Sequence, residues 1–178
     1  MAEAEADLDI VGGIVKALTD LGLEPILVGG MALVLIGSRR VTVDFDFVIA
    51  NPGDRLRSLV GMFYDRGFEL ASRINKAGDV TATISNRRVA VIRLRLDAPA
   101  TAYFFNPKTG LRIDLLFDFP LPAQAIAEHA TRMKVRSHVF RVASEDDLLR
   151  LKKIARANRS SPGDAEDIAF LESRRSSR

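Results

Sequence analysis

A chain of 178 residues, 47% apolar and 28% charged, is long enough for one domain with a real core, or for such a core plus a small helical appendage. The absence of cysteine excludes disulfides, thiol nucleophiles and cysteine-bound zinc, and no apolar run is long enough for a membrane-spanning helix. The acidic, alanine-rich N-terminus does not read as a signal peptide, so the cytoplasm is the expected compartment, and a net charge of +3 admits an acidic partner such as a nucleotide or RNA without demanding one.

Asp7 to Leu21 predicts a helix with Leu8, Val11, Ile14, Val15, Leu18 and Leu21 on its apolar face, closed by Gly22. Pro25 to Val28 starts a buried strand, Gly29-Gly30 turns the chain, and a short helix follows from Met31 to Ile36. Gly37-Ser38 ends it, and Arg39-Arg40 lead into a strand from Thr42 to Ile49. After the Asn51-Pro52-Gly53 loop, Asp54 caps a predicted helix with Leu56, Leu59, Val60 and Phe63 at i, i+3, i+4 and i+7, which Gly67 terminates. From Phe68 to Phe119 the pattern is mostly of strands: Val89 to Leu96 and Ala102 to Phe105 read as extended, Asn106 to Gly110 as a turn, and Leu111 to Phe117 as a strong strand. Ile74 to Arg88 is ambiguous and leans towards strand in its second half. Pro122 opens a helix expected to end near Met133, and Val139 to Val142 is a last short strand. Two helices follow, from Ser144 and from Pro162. The expected division is a core over 1–143, a helical extension over 144–172 and a disordered Ser/Arg tail over 173–178. Strands and helices mix without a regular βαβ rhythm, which predicts an α+β fold rather than a doubly wound sheet.

Chemistry concentrates in Val28-Gly29-Gly30 and, thirteen residues on, Asp44-Phe45-Asp46-Phe47. Strand side chains alternate between faces, so Asp44 and Asp46 share one face while Val43, Phe45 and Phe47 take the other. Aspartate is disfavoured in strands, and like charges side by side repel unless a cation stands between them. A solvated sheet edge is the plainer explanation. A third acid within a β-prone run, Asp114 in Leu111 to Phe117, weighs against it. Three strand acids suit a divalent metal, and a pair of ions would clamp a phosphoryl group. The glycine pair would let the backbone approach a phosphate closely, although it is neither a Walker A loop nor a G-x-G-x-x-G fingerprint, and a plain tight turn explains it as well. Asp118 lies further along on the same face as Asp114, nearer a loop, and is at best a supporting residue. In the helix from Ser144, Lys152 falls within the apolar arc of Leu148, Leu149, Leu151, Ile154 and Ala155, whereas Arg150 and Lys153 fall outside it. An inward lysine needs an anionic partner, such as a phosphate, or snorkels along the edge of the core. Arg40 is a candidate phosphate clamp, Tyr103 to Phe105 read first as core, and His129 and His138 read as structural.

In this order and spacing the chain resembles the nucleotidyltransferase superfamily, whose pattern is an apolar residue with Gly-[Gly/Ser], a short spacer, Asp-apolar-[Asp/Glu]-apolar, and a third acid on a later strand. The match runs from Val28 to Phe47, including Arg40-Val41-Thr42, with Asp114 as third acid. Ser144 to Leu171 is similar to the tail of the abortive-infection and toxin-type members, and the likeness covers residues 8–172. The resemblance implies a polymerase-β-like α+β fold: a small mixed sheet, flanking helices and a short C-terminal helical extension. It implies that Asp44, Asp46 and Asp114 hold Mg²⁺, two ions with Mn²⁺ as a substitute. Gly29, Gly30, Arg40 and Lys152 would bind the nucleoside triphosphate, ATP among them, with Lys152 also serving transfer. Asp114 would complete the metal site or activate a hydroxyl acceptor on RNA such as a tRNA end, on a protein, or on a small molecule. An antitoxin partner is compatible with the tail. The rival expectation is a non-catalytic module of the same fold that binds nucleotide or partner.

Overall fold

The computed structural model describes residues 2–159 and 161–177. The N-terminal half consists of α1 (Ala2–Asp20), β1 (Ile26–Val28), α2 (Gly29–Leu35), β2 (Phe45–Ile49), a 3₁₀ turn at Gly53–Arg55, α3 (Leu56–Asp65), β3 (Glu69–Ile74) and β4 (Val80–Ile84). The C-terminal half consists of α4 (Arg87–Asp97), β5 (Thr101–Phe105), β6 (Arg112–Phe117), α5 (Ala123–Ala127), β7 (Thr131–Val135), β8 (His138–Val142), α6 (Glu145–Asn158) and α7 (Pro162–Ser176). All eight strands form one mixed sheet in the order β4-β3-β5-β6-β2-β1-β8-β7.

The most apolar strands take the middle. β1 is buried along its length, runs antiparallel to β2 and parallel to β8, and β2 lies parallel to β6. Val11, Ile14 and Leu18 of α1 are fully buried, as the apolar periodicity of that stretch requires. Phe63 of α3 stacks on Phe104 of β5 with ring centroids 4.0 Å apart, so Phe104 belongs to the core while its neighbours Tyr103 and Phe105 stay half-buried. The core takes in Leu148, Leu149, Ile168 and Leu171 of the two C-terminal helices. Among the described residues no helix is long and apolar enough to cross a membrane.

The architecture is the expected α+β mixture, with local differences. Val89 to Leu96, expected as extended, lies within α4. Asn86 caps this helix by accepting from the backbone N–H groups of Arg88 and Val89, and Ala90, Val91 and Leu94 are buried at helical spacing. The β-branched run imitates a strand, but the cap and the packing decide for a helix. The helix expected from Pro122 to Met133 stops at Ala127, because Thr131–Val135 pairs with His138–Val142 as an antiparallel hairpin whose turn residue Arg136 has φ +57°. The strand expected from Thr42 joins the ladder only at Phe45, which pairs with Ile113 of β6, and β1 joins one residue on, where Asp46 stands opposite Val28, the last residue of β1. The ambiguous stretch contains the hairpin partner β4, and this hairpin with that of β7 and β8 widens the sheet beyond the small one expected. α7 continues through Ser176, into the segment assigned to a tail, and Arg178 lies outside the described residues.

Candidate active site

Strand register brings the acids together. Val28 on β1 stands opposite Asp46 on β2, Asp46 opposite Asp114 on β6, and Asp114 opposite Tyr103 on β5. Residues level with one another in adjacent strands share a face, so these side chains form one row across four strands. Asp44 precedes the first paired residue of β2 and lines the same cavity, which measures about 520 Å³. Gly29 follows Val28 directly, with φ +68°, and a Cβ there would lie 2.2 Å from Oδ2 of Asp46. Only glycine meets both demands, and the consequence is that bare backbone lies against the Asp46 carboxylate. At Gly30 a Cβ would come within 3.0 Å of the Arg40 guanidinium carbon and 3.1 Å of Thr42 Oγ1.

The electrostatics follow from this crowding. Burial, then the neighbouring Asp114 and Asp44, push the Asp46 carboxyl up to about 7, against the pull of Lys152 and Arg112. Burial also raises Asp114, although Arg112 opposes it. Arg112 makes a two-pronged pair with Asp114, Nε to Oδ1 and Nη2 to Oδ2, both 2.7 Å. Its guanidinium also lies 4.7 Å from the Tyr103 ring centre, and it donates to the Gly78 carbonyl at 2.8 Å. Asp44 and Asp46 make no ion pair among the described residues. Nor does any group of three or more His, Cys, Asp or Glu among the described residues stand in metal-holding geometry.

Lys152 reaches the cavity from α6, buried as the apolar arc requires, and its partners come from α7: Asp167 at 2.8 Å and Asp164 at 3.4 Å. These two acids are 3% and 2% exposed. Each has a second cation, Arg40 on Asp167 and Arg159 on Asp164. The anionic partner of the inward lysine is thus in the protein itself, and helix-dipole complementarity is only part of why Asp164 stands at the start of α7. The Nε of Arg40 is buried with no hydrogen-bond partner among the described residues, a donor left for an acceptor from outside. Lys153 pairs with Glu172 at the surface, and Arg39 is exposed.

Other expected residues lie apart. His138 contacts Asp9 and His129 contacts Asp147, neither in the cavity. Asp118 has φ +48° and accepts from the backbone N–H groups of Asn51 and Ala123, both at 2.9 Å, tying two loops together. Asp118→Ala should therefore cost about 1–3 kcal/mol in urea unfolding. Sequence reasoning missed Arg112, although it stands at i−2 from Asp114 and a period of two places both on one strand face. It also missed the roles of Asp164 and Asp167, which no pattern local to α7 reveals.

No protein-family model matches the chain, and neither does any curated protein sequence. Solved structures match its fold, among them the following two. The lincosamide antibiotic adenylyltransferase LnuA, in its lincomycin-bound crystal structure, superposes with a TM-score of 0.58 and 12% identity, over 93% of this chain and 96% of that one. An antigenic nucleotidyltransferase-like protein from Paracoccidioides brasiliensis does so with a TM-score of 0.58 and 17% identity, over 92% of this chain and 73% of that one. The chain has the fold of the nucleotidyltransferases.

Proposed function

We propose that the protein is a metal-dependent nucleotidyltransferase that moves a nucleoside monophosphate from a nucleoside triphosphate to a hydroxyl acceptor. The observation that carries this reading is the row of Asp46 and Asp114, with Asp44 beside them and the Gly29 backbone against them, like charges kept together in a cavity. In the reaction the acceptor oxygen bonds to the α-phosphorus, the bond from that phosphorus to the bridging oxygen breaks, pyrophosphate leaves, and the acceptor's proton passes to a base.

The donor set suits Mg²⁺ or Mn²⁺: magnesium takes one or two carboxylates and fills its other positions with water and phosphate oxygens, and Asp44 and Asp46 carry no cation of their own among the described residues. When bound, the ion would neutralise charge on the triphosphate. Asp114 would take the acceptor's proton or join a second ion through the lone pairs that the two bonds from Arg112 leave open. The backbone of Gly29 and Gly30, the unpaired Nε of Arg40, and Lys152 would face the triphosphate, ATP included. Tyr103, Leu116 and Phe119 give the cavity its less polar wall, against which a base or an acceptor ring can lie. Acceptors on RNA, on protein or on a small molecule such as a lincosamide all present the required hydroxyl, and a role as the toxin of a toxin–antitoxin pair is compatible with the first two.

The test incubates the protein with each α-labelled nucleoside triphosphate, Mg²⁺, and separate pools of RNA, cell protein and aminoglycosides or lincosamides. Label is expected in one pool, together with a rise in melting temperature with Mg²⁺ and triphosphate present. A melting shift without transfer into any pool would replace this reading with that of a nucleotide-binding module. No shift at millimolar ligand would remove both.

A further inference from the structure

We infer that the groove between α3 and α4 is a docking site for an acidic amphipathic helix of a partner protein. This surface is separate from the nucleotide cavity and does not rest on the activity proposed for it. α4 is apolar on two opposite sides. Ala90, Val91 and Leu94 face the core, whereas Val89, Ile92 and Leu96, at i, i+3 and i+7, are 50%, 56% and 79% exposed. A helix that served only to cover a sheet would carry polar residues on that outer face. Beside this ridge runs a groove of about 520 Å³ floored by Val60, Gly61, Val91 and Ile92.

Its rims are cationic. Arg57 stands on the α3 side and Arg87, Arg88 and Arg95 on the α4 side. Arg87 pairs with Asp65 at 2.7 Å, but Arg57, Arg88 and Arg95 make no ion pair among the described residues. Gly61 adds an independent sign. Glycine inside a helix is unfavourable, and this one is not required by the fold, since a Cβ there would meet only Arg87 Nη1 at 3.8 Å, an ordinary contact. The missing side chain keeps the groove floor open for something that is not part of this chain's own packing.

The chemistry selects the occupant. Free guanidinium groups call for carboxylates, and an aliphatic floor calls for aliphatic side chains. Single-stranded nucleic acid would want aromatic platforms, and none lines the groove. A channel between two helices receives a third by laying an apolar stripe into it. At 11 residues, α4 offers a track for about three turns of partner helix.

The full-length protein, isotope-labelled for NMR, is titrated with a synthetic helical peptide carrying leucine at i, i+3, i+4 and i+7 and glutamate on both flanks. A matched peptide has lysine for glutamate. The glutamate peptide is expected to shift amides of α3 and α4, and the lysine peptide to bind at least about tenfold more weakly. The double variant Arg88→Glu, Arg95→Glu should lose a similar factor. Gly61→Leu should block binding while keeping or raising the melting temperature, which separates a filled groove from a damaged fold. Absence of binding by the glutamate peptide, or equal binding by both peptides, would overturn the proposal. So would capture of a single-stranded RNA or of phosphatidylserine vesicles by this face in place of the peptide, or a dimer of the chain that Leu96→Glu dissolves.

Discussion

Replacing Asp46 by asparagine is expected to raise the melting temperature of the metal-free protein while abolishing the proposed nucleotidyl transfer. Burial and the adjacent Asp114 and Asp44 hold the Asp46 carboxyl up to about 7, well above its ordinary value of 3.8. The native state therefore binds this proton more tightly than the unfolded chain does, and that advantage is fully present below about pH 4. It disappears as pH rises through about 7, so wild-type stability falls across this window by the contribution of this site. Asparagine keeps the shape and removes the charge, so the stability gap between variant and wild type should be absent at pH 4, widen towards pH 7 and stay constant above it. Each tenfold change in proton affinity is worth about 1.4 kcal/mol. Discounting for the water that still reaches this half-buried carboxylate, a gap of about 2 kcal/mol is expected at pH 8. Transfer should fall by about a thousandfold, as for loss of a group that organises developing charge, and the melting shift produced by Mg²⁺ with triphosphate should vanish. Thermal unfolding at several pH values, with and without ligand, checks all of this. Unchanged transfer would take Asp46 out of the mechanism, and a variant less stable than wild type at pH 8 would refute the account of its charge.

Replacing Lys152 by methionine should abolish transfer and also destabilise the fold, and the two effects can be separated. Lys152 is buried between Asp164 and Asp167, which are themselves almost fully buried. Removing one partner of a buried ion pair typically costs about 3–5 kcal/mol because the other charge is left behind. Here each acid retains a guanidinium, Arg159 or Arg40, so about 2 kcal/mol is the expected loss. Adding Asp167→Asn to Lys152→Met removes the carboxylate nearest the lost ammonium, which then shares only Arg40, and should recover part of that stability in urea unfolding. It should not recover transfer if the lysine serves the triphosphate. Lys153→Ala breaks only a surface pair with Glu172 and should change stability by no more than about 0.5 kcal/mol, with transfer intact. Recovery of transfer together with stability in the double variant would assign Lys152 a structural role alone.

The ion network also bears on how the cavity is assembled. Arg40 comes from the segment between α2 and β2, Lys152 from α6, and both meet on Asp167 of α7. A change in any of the three is therefore transmitted to the other two, and single substitutions here should be compared through double-mutant cycles rather than summed.

The sequence by itself determined which candidate residues share a face of their element. A period of two sets Asp44 and Asp46 on one side of the chain entering β2, the glycine pair ends the preceding apolar run, Asp114 interrupts a β-prone stretch, and helical spacing turns Lys152 inward. Arg112 was legible by the same rule, two residues before Asp114. Periodicity reports which residues share a face of one element, and it is silent about which element lies beside that face. Only the tertiary structure set β6 next to β2 in the register that joins Asp46 to Asp114 and Tyr103. Only the packing of α7 on α6 supplied Asp164 and Asp167 to Lys152. The same holds for Val89 to Leu96, whose β-prone composition is overruled by the Asn86 cap and by the burial of Ala90, Val91 and Leu94. In each case the deciding contacts join residues far apart in the chain, or weigh burial against local propensity, and their free energies exist only once the elements have packed.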